Sequence, residues 1–415
     1  MRIQGVLIAF LAAAAMLAGA SAQAAIRYER SWQIQESQGG VDSVLALGNG
    51  QSLAAITFGG VVKYTPQDQK TFLPFEDKSG SHTYVEDMAL GPDGTLYFAE
   101  QGGVVARYRQ NGKRITSWQL RNSAYPDIDV SPDGTVYMLT QEPFRLTRFG
   151  PNGNKLGRWD LNSRWKKKLR YSSSLAIDGD GTVLIGNDWN GTVRRFTPDG
   201  RPIGLLTRPG WKPGQTFGPA SLATDKAGHI FVFDWYLNRL QTFTSDGEFL
   251  GQFGRTGFGN QNFLFGHEVS ASPDGQVVVG DSGVVRQYRW TADPQPKYPA
   301  VAGWTLDWNR SARPGGEVKV PFTVVNYGTE TARGVRYCLP KWSYRTLLFA
   351  ARRCNGIGSL EAGQSRRFKV KVRAPRRDDP DFEAEGSIDF EIYIRSKGAG
   401  FSEALGQIWP KLGRN

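Results

Sequence analysis

Apolar residues fall at every second position through many short runs of the chain, and each run is cut by a turn signal. In HIFVFDWYLNRLQTFTSDGEFLGQFG, residues 229 to 254, one alternating run stops at Asp234 and Trp235, a second follows, and the chain turns at Asp246-Gly247. Successive side chains of a strand point to opposite faces, so alternation marks a half-buried strand, and Asp-Gly between two such runs marks a hairpin. The stretch therefore predicts three short antiparallel strands.

The pattern recurs. Turn anchors stand at GNG (48 to 50), PDG (92 to 94), PDG (132 to 134), GDG (179 to 181), KAG (226 to 228) and PDG (273 to 275), their closing glycines spaced 44, 40, 47, 47 and 47 residues apart. A second turn follows at Asn111-Gly112, Asn152-Gly153, Asp199-Gly200 and Asp246-Gly247. Each unit thus reads as four antiparallel strands. A small sheet that is partly apolar on both faces needs a neighbour on either side, and a repeat of this length is that of propeller blades. Six units predict a six-bladed β-propeller over residues 25 to 297. The final unit, HEVSASPDGQVVVGDSGVVRQYRW, supplies only three clear strands, whereas IRYERSWQIQ near the start is comparable with the outer strands KRITSWQL and NKLGRWDL. Residues 26 to 35 are expected to complete the last blade, with 298 to 306 as the alternative.

These residues carry a resemblance. GQFGRTGFGNQNFLFGHEVSASPDG (251 to 275) and the stretch from 229 to 254 resemble NHL repeats, in which a Gly-rich connection leads into a strand and an Asp precedes an Asn-Arg pair. Asp234 and Asn238-Arg239 match that core; Asp188 and Asp281 keep the acid without the pair, and Glu100 stands at the matching place in the second unit. The resemblance implies a propeller. It leaves activity open, because such propellers include binding scaffolds as well as lyases and hydrolases.

After Pro294 and Pro296 the period stops. Alternation at Val318, Val320, Phe322 and Val324, at Phe368, Val370 and Val372, and at Ile388, Phe390, Ile392 and Ile394 predicts an immunoglobulin-like β-sandwich over residues 298 to 415. VVNYGTETARGV followed by SLEAGQSRRFKVKV resembles the CARDB group of bacterial adhesion-related sandwiches, which implies a spacer or docking module. The whole chain is thus expected to be all-β.

Composition narrows the setting. Residues 1 to 24, MRIQGVLIAFLAAAAMLAGASAQA, read as a signal peptide, with a short apolar run followed by small residues suited to cleavage. No later stretch is apolar enough for a spanning helix, so the product is expected to be periplasmic or secreted. In that oxidising setting the only cysteines, Cys338 and Cys354, are expected to pair, and closing a loop of that size contributes about 3 kcal/mol. The formal net charge is +12, and residues 300 to 415 carry +8 of it through 20 Lys and Arg against 12 Asp and Glu. No nucleic-acid motif accompanies that charge, so the expected partner is a protein or an anionic polysaccharide of the cell envelope.

Candidate chemistry follows from the propeller. The turn between second and third strands shares an end with the connections between blades, and there Trp189 and Trp235 are expected to meet Trp165 and Trp211. Lys166, Lys167, Lys168, Arg170, Arg208 and Lys212 surround them, so indole faces would stack on a ligand while the cations hold its anionic groups. The strand-end acids Glu100, Asp188, Asp234 and Asp281 either pin turns or ring the channel mouth, where oxygen ligands could hold a divalent cation. Of the three histidines, His82 and His267 fall at this end and His229 at the other, which leaves a zinc site incomplete. GDSG (280 to 283) lacks the partners of a nucleophilic serine, and FGPNGNKLG (149 to 157) lacks phosphate-loop spacing. The reading is an exported, non-catalytic binding or scaffold protein without a cofactor. The alternatives are a lactonase-like hydrolase or lyase using a divalent cation, or an adhesion module acting through the sandwich.

Overall fold

The computed structural model describes residues 25–34, 39–74, 84–120, 126–141, 144–160, 172–225, 227–257, 259–264, 266–281, 283–291, 297–304, 309–312, 316–338, 354–373, 388–397 and 401–410. The structure is all-β, with no helix among the described residues.

The repeat units fold as antiparallel sheets laid out in chain order. β2 (Val41–Gly48), β3 (Gln51–Ile56), β4 (Gly60–Tyr64) and β5 (Gln69–Leu73) form the first sheet, and β6 (Val85–Leu90), β7 (Leu96–Glu100), β8 (Val104–Tyr108) and β9 (Arg114–Gln119) the next. β10 (Asp127–Val130), β11 (Val136–Gln141), β12 (Phe144–Phe149) and β13 (Lys155–Asp160) follow. β14 (Ser172–Ile177), β15 (Val183–Asn187), β16 (Thr192–Phe196) and β17 (Pro202–Pro209) come next, with β18 (Gln215–Thr216) added at the outer edge. Then come β19 (Pro219–Thr224), β20 (His229–Asp234), β21 (Arg239–Thr244) and β22 (Phe249–Phe253). The last sheet holds β23 (Gly266–Ala271), β24 (Gln276–Asp281) and β25 (Val284–Thr291), and its outer strand is β1 (Ala25–Gln33) from the start of the described chain. Trp32 pairs with Val285 in that closing ladder, so the segment at 26 to 35, not 298 to 306, completes the sheet.

The second strand of each sheet is apolar on consecutive residues because both of its faces are covered. Val277 and Val279 pack toward β20 and β21, while Val278, pointing the other way, packs on the first sheet with Ala54 and Ile56. Leu96 and Phe98 face the first sheet, whereas Tyr97 and Ala99 face the third. Val183 and Ile185 face the third sheet while Leu184 packs with Ile230 and Val232 of the fifth. The clusters run from each sheet to the next and return to the first, and the innermost strands also touch in succession. This architecture is a β-propeller.

The glycines that anchored the repeat are required by backbone geometry. Gly50, Gly94, Gly134, Gly181, Gly228 and Gly275 have φ between 73° and 86°, a region that costs other residues strain.

The C-terminal segment builds two further sheets. β26 (Val301–Trp304), β28 (Glu317–Asn326) and β31 (Ser365–Arg373) form one; β27 (Asn309–Ala312), β33 (Phe401–Pro410), β32 (Ile388–Lys397), β29 (Ala332–Cys338) and β30 (Cys354–Leu360) form the other. Cys338 and Cys354 are disulfide-bonded partners across β29 and β30. This segment seats on the fifth sheet through Leu237, Ala300, Ala302, Val325 and Tyr327, with Trp211, Phe217 and Tyr298 packed around them.

Candidate functional site

Two places in the propeller gather chemistry-bearing side chains. The first is the rim where the fourth and fifth sheets present their corners. Trp189, in the turn after β15, is 78 % exposed; Trp235 and Tyr236, in the turn after β20, are 40 % and 48 % exposed. The Trp235 and Tyr236 rings lie 4.1 Å apart, and Phe217 meets Tyr236 edge-on at 5.4 Å. Burial and then the nearby Asp188 charge raise the Tyr236 phenol.

The other aromatic and basic candidates divide. Trp165, Lys166, Lys167, Lys168 and Arg170 lie outside the described residues. Arg208 and Lys212 are exposed. Trp211 is turned away from an open rim: its Nε1 donates to the Gly363 carbonyl at 3.0 Å, and the indole packs under the C-terminal sheets. The sequence could not show that contact, because Trp211 and Gly363 are far apart along the chain.

The strand-end acids are held individually. Asp234 is fully buried, accepts the N–H groups of Phe217 and Gly218 at 3.0 Å each, and lies 3.5 Å from the Arg239 guanidinium. Burial raises its carboxyl, with Arg239 and the two amides opposing. Arg239, equally buried, donates to the Trp211 carbonyl at 3.0 Å, Gln252 at 2.8 Å and the Gln215 carbonyl at 2.7 Å, and lies over the Tyr327 ring. The Asp and Arg of the motif therefore form a pin between the fifth sheet and its surroundings. Asp281 pairs with Arg286 and accepts the Leu264 N–H at 3.1 Å. Glu100 accepts the Tyr108 hydroxyl at 2.8 Å and lies 3.3 Å from Arg114. Asp188 is half-buried, and that burial raises its carboxyl. None of these four lines the central channel, and the described residues contain no group of three acids, histidines or cysteines arranged to hold a metal.

The second place is the channel, a cavity of about 510 Å³. Its carboxylates are different ones: Asp42 on β2, Glu86 and Asp87 on β6, Asp127 and Asp129 on β10, and Glu268 on β23, with Asp225 at the far end. No Lys, Arg or His is among the described lining residues, although the chain as a whole is basic. The signal for them lies in the repeat itself. The residue seven places before each anchoring glycine is Ser43, Asp87, Asp127, Ser174, Ser221 and Glu268 in turn, always small-polar or acidic.

Geometry explains that position. The first strand of each sheet is an edge strand beside the channel, so its outward N–H and C=O groups lack a ladder partner. Side chains of the neighbouring sheet supply one. Asp87 accepts the Ser43 hydroxyl at 2.9 Å and the Ile128 N–H at 2.7 Å; Asp127 accepts the Leu175 N–H at 2.9 Å. Ser174 donates to the Pro219 carbonyl at 3.4 Å, and Ser221 accepts the Val269 N–H at 3.1 Å and lies 3.4 Å from Glu268. Two residues further along, Asp129 accepts the Ile177 N–H at 2.6 Å and Ser270 the Ala46 N–H at 3.0 Å.

Burial pushes Asp129 up to about 7 and, with the Asp42 and Asp87 charges, Glu86 up to about 7. Asp87, which accepts the N–H of the residue after Asp127, lies close to that second carboxyl; burial raises both, and Asp127 is held well above the usual range by burial and then by Asp87. Burial likewise holds Glu268 well above it.

The expected histidine placement also resolves in part. His229 lies 2.7 Å from Asp225 and stacks on Trp290 at 3.8 Å, while His267 stands close enough to Asp42 to act on its charge. His82 lies outside the described residues.

No family model matches the chain, and no curated protein matches it. Among solved structures it is similar to virginiamycin B lyase from Staphylococcus aureus, at 11% identity and a TM-score of 0.46 over 64% of this chain and 99% of that one. It is also similar to a gluconolactonase from Xanthomonas campestris, at 13% identity and 0.47 over 66% and 92%, and to the WD40 beta propeller domain of Doa1, at 11% and 0.46 over 64% and 97%. Likeness at that level carries no argument about activity; the propeller rests on the sheets and their closure described above.

Proposed function

We propose that the chain is an exported, non-catalytic binding protein of the bacterial cell envelope: a six-bladed NHL-like propeller carrying an immunoglobulin-like, CARDB-like sandwich, which takes an anionic polysaccharide at one end of the propeller. The observation that carries this reading is the pair of adjoining corners that hold Trp189, Trp235 and Tyr236 in solvent. Exposing Trp189 and the adjacent rings of Trp235 and Tyr236 leaves apolar area in water, and flat indoles offer faces for sugar rings. Exposed Arg208 at the end of β17 and Lys212 on the connection after it supply cations for the acidic groups of such a chain. The hydrolase or lyase reading has less support, because Asp234 and Asp281, two of its four cation ligands, are ion-paired to Arg239 and Arg286.

The test is binding of the mature protein to a panel of acidic and neutral polysaccharides, by glycan array and titration calorimetry. The double variant Trp189→Ala, Trp235→Ala should lose about tenfold or more in affinity for the acidic members, equivalent to roughly 1.4 kcal/mol. Unchanged affinity in the double variant, or capture of a protein ligand with no glycan signal, overturns the polysaccharide reading.

A further inference from the structure

The channel presents a problem of charge. β2 turns Asp42 toward it, β6 Glu86 and Asp87, β10 Asp127 and Asp129, and β23 Glu268; β19 contributes Ser221, and Ser174 of β14 bonds to the Pro219 carbonyl. Tyr84 lines the mouth, with His267 near Asp42, and Asp225 stands at the far end. Elsewhere the molecule answers buried acids with arginines, as at Asp234 and Asp281. Here the partners are backbone amides, serines and neighbouring acids.

We propose that this ring of side chains is a proton-dependent clasp, which stitches the innermost strands of successive sheets while its carboxyls hold protons and loosens when they ionise. A neutral carboxyl still accepts an N–H through its carbonyl oxygen and can also donate its own proton, so neighbouring Asp87 and Asp127 sit comfortably together while at least one of them is protonated. With both ionised the pair repels, and no Lys, Arg or His among the described lining residues compensates.

Repulsion falls on the same atoms that accept Ile128 and Leu175, and on Glu268 where it meets Ser221. The sign follows from linkage. These groups have folded-state values above their unfolded ones, so they add stability that is complete below about pH 4 and is lost as the pH rises through about 7, where Glu86 and Asp129 ionise. The dependence is opposite to ordinary acid denaturation.

The experiment uses the mature chain in chelator-containing buffer at constant ionic strength. Its melting temperature should fall by about 3 °C or more between pH 5 and pH 8. Amide exchange at Ile128, Leu175 and Ile177, corrected for the intrinsic effect of pH, should speed by about tenfold or more over the same range. Asp127→Asn keeps an acceptor for the Leu175 N–H and donates to Asp87 without titrating, so it should flatten both curves. Glu268→Gln, whose only described hydrogen-bond partner is Ser221, should flatten them in part and carries the test if Asp127→Asn does not fold. A melting temperature that is level or rises toward pH 8, or slopes in the variants equal to the parent's, overturns the clasp.

Discussion

The rim of the fifth sheet and the wall of the channel both bury carboxylates, in opposite ways. At the rim, Asp234 has Arg239 beside it and two backbone amides on its oxygens, and the two Nη groups of the guanidinium in turn donate to carbonyls and Gln252. In the channel, Asp87 and Asp127 have amides, a serine and one another. A buried charge beside an opposite charge needs no proton, whereas buried acids without one retain theirs. At the rim an arginine therefore opposes the upward push that burial gives the carboxyl, whereas in the channel a neighbouring acid adds to it.

That contrast can be broken from the rim first. Arg239→Ala removes the counter-charge of a fully buried Asp234 and the anchor of several carbonyls, and should cost about 3–5 kcal/mol in urea unfolding. A loss under 1 kcal/mol would mean that Asp234 takes up a proton there as readily as the channel acids do. In the channel, Asp87→Ala strands the Ile128 N–H and should cost about 1–3 kcal/mol, while Asp87→Asn, which keeps an acceptor, should cost less. Equal losses would show that shape, not hydrogen bonding, sets the requirement.

The contrast sharpens with pH. Asp129 has a folded value of about 7 against an ordinary 3.8, so its contribution is present below the lower value and disappears as the pH passes the upper one. Asp129→Asn should therefore gain stability relative to the parent between pH 5 and pH 8, read from paired unfolding curves; a constant difference would deny Asp129 that role. The smallest stability effect is expected at the solvent corner, where Trp189→Ala should stay within about 0.5 kcal/mol in unfolding while reducing polysaccharide binding.

Much of the sheet order was legible because it depends on local chemistry. The anchoring glycines mark places where the backbone enters the left-handed region, and alternation of apolar residues registers which face each strand buries. The closing strand was legible too, since IRYERSWQIQ has the pattern of an outer strand with no sheet of its own, and Trp32 pairs with Val285. The candidate site was less so. Asp188, Asp234 and Asp281 drew notice because they stand in a motif, yet the acids that gather in the channel include Asp87, Asp127 and Glu268, each in a short first strand where polar residues look like ordinary alternation. Only their shared distance from the anchoring glycine marks them, and that distance acquires meaning once the first strands stand around an axis. Trp211 was misplaced for a different reason, because its partner is the carbonyl of Gly363 and a backbone atom leaves no trace in a sequence.

The borrowed outer strand of the last sheet has a consequence for how the molecule is made. Because β1 joins β25, the strand that precedes all the other propeller strands belongs to the last propeller sheet to be completed, and it must wait unpaired while some 250 intervening residues are laid down. The seam between the two is then the natural place for the circle to come apart under load, and a clip engineered across it would hold the assembled disc shut.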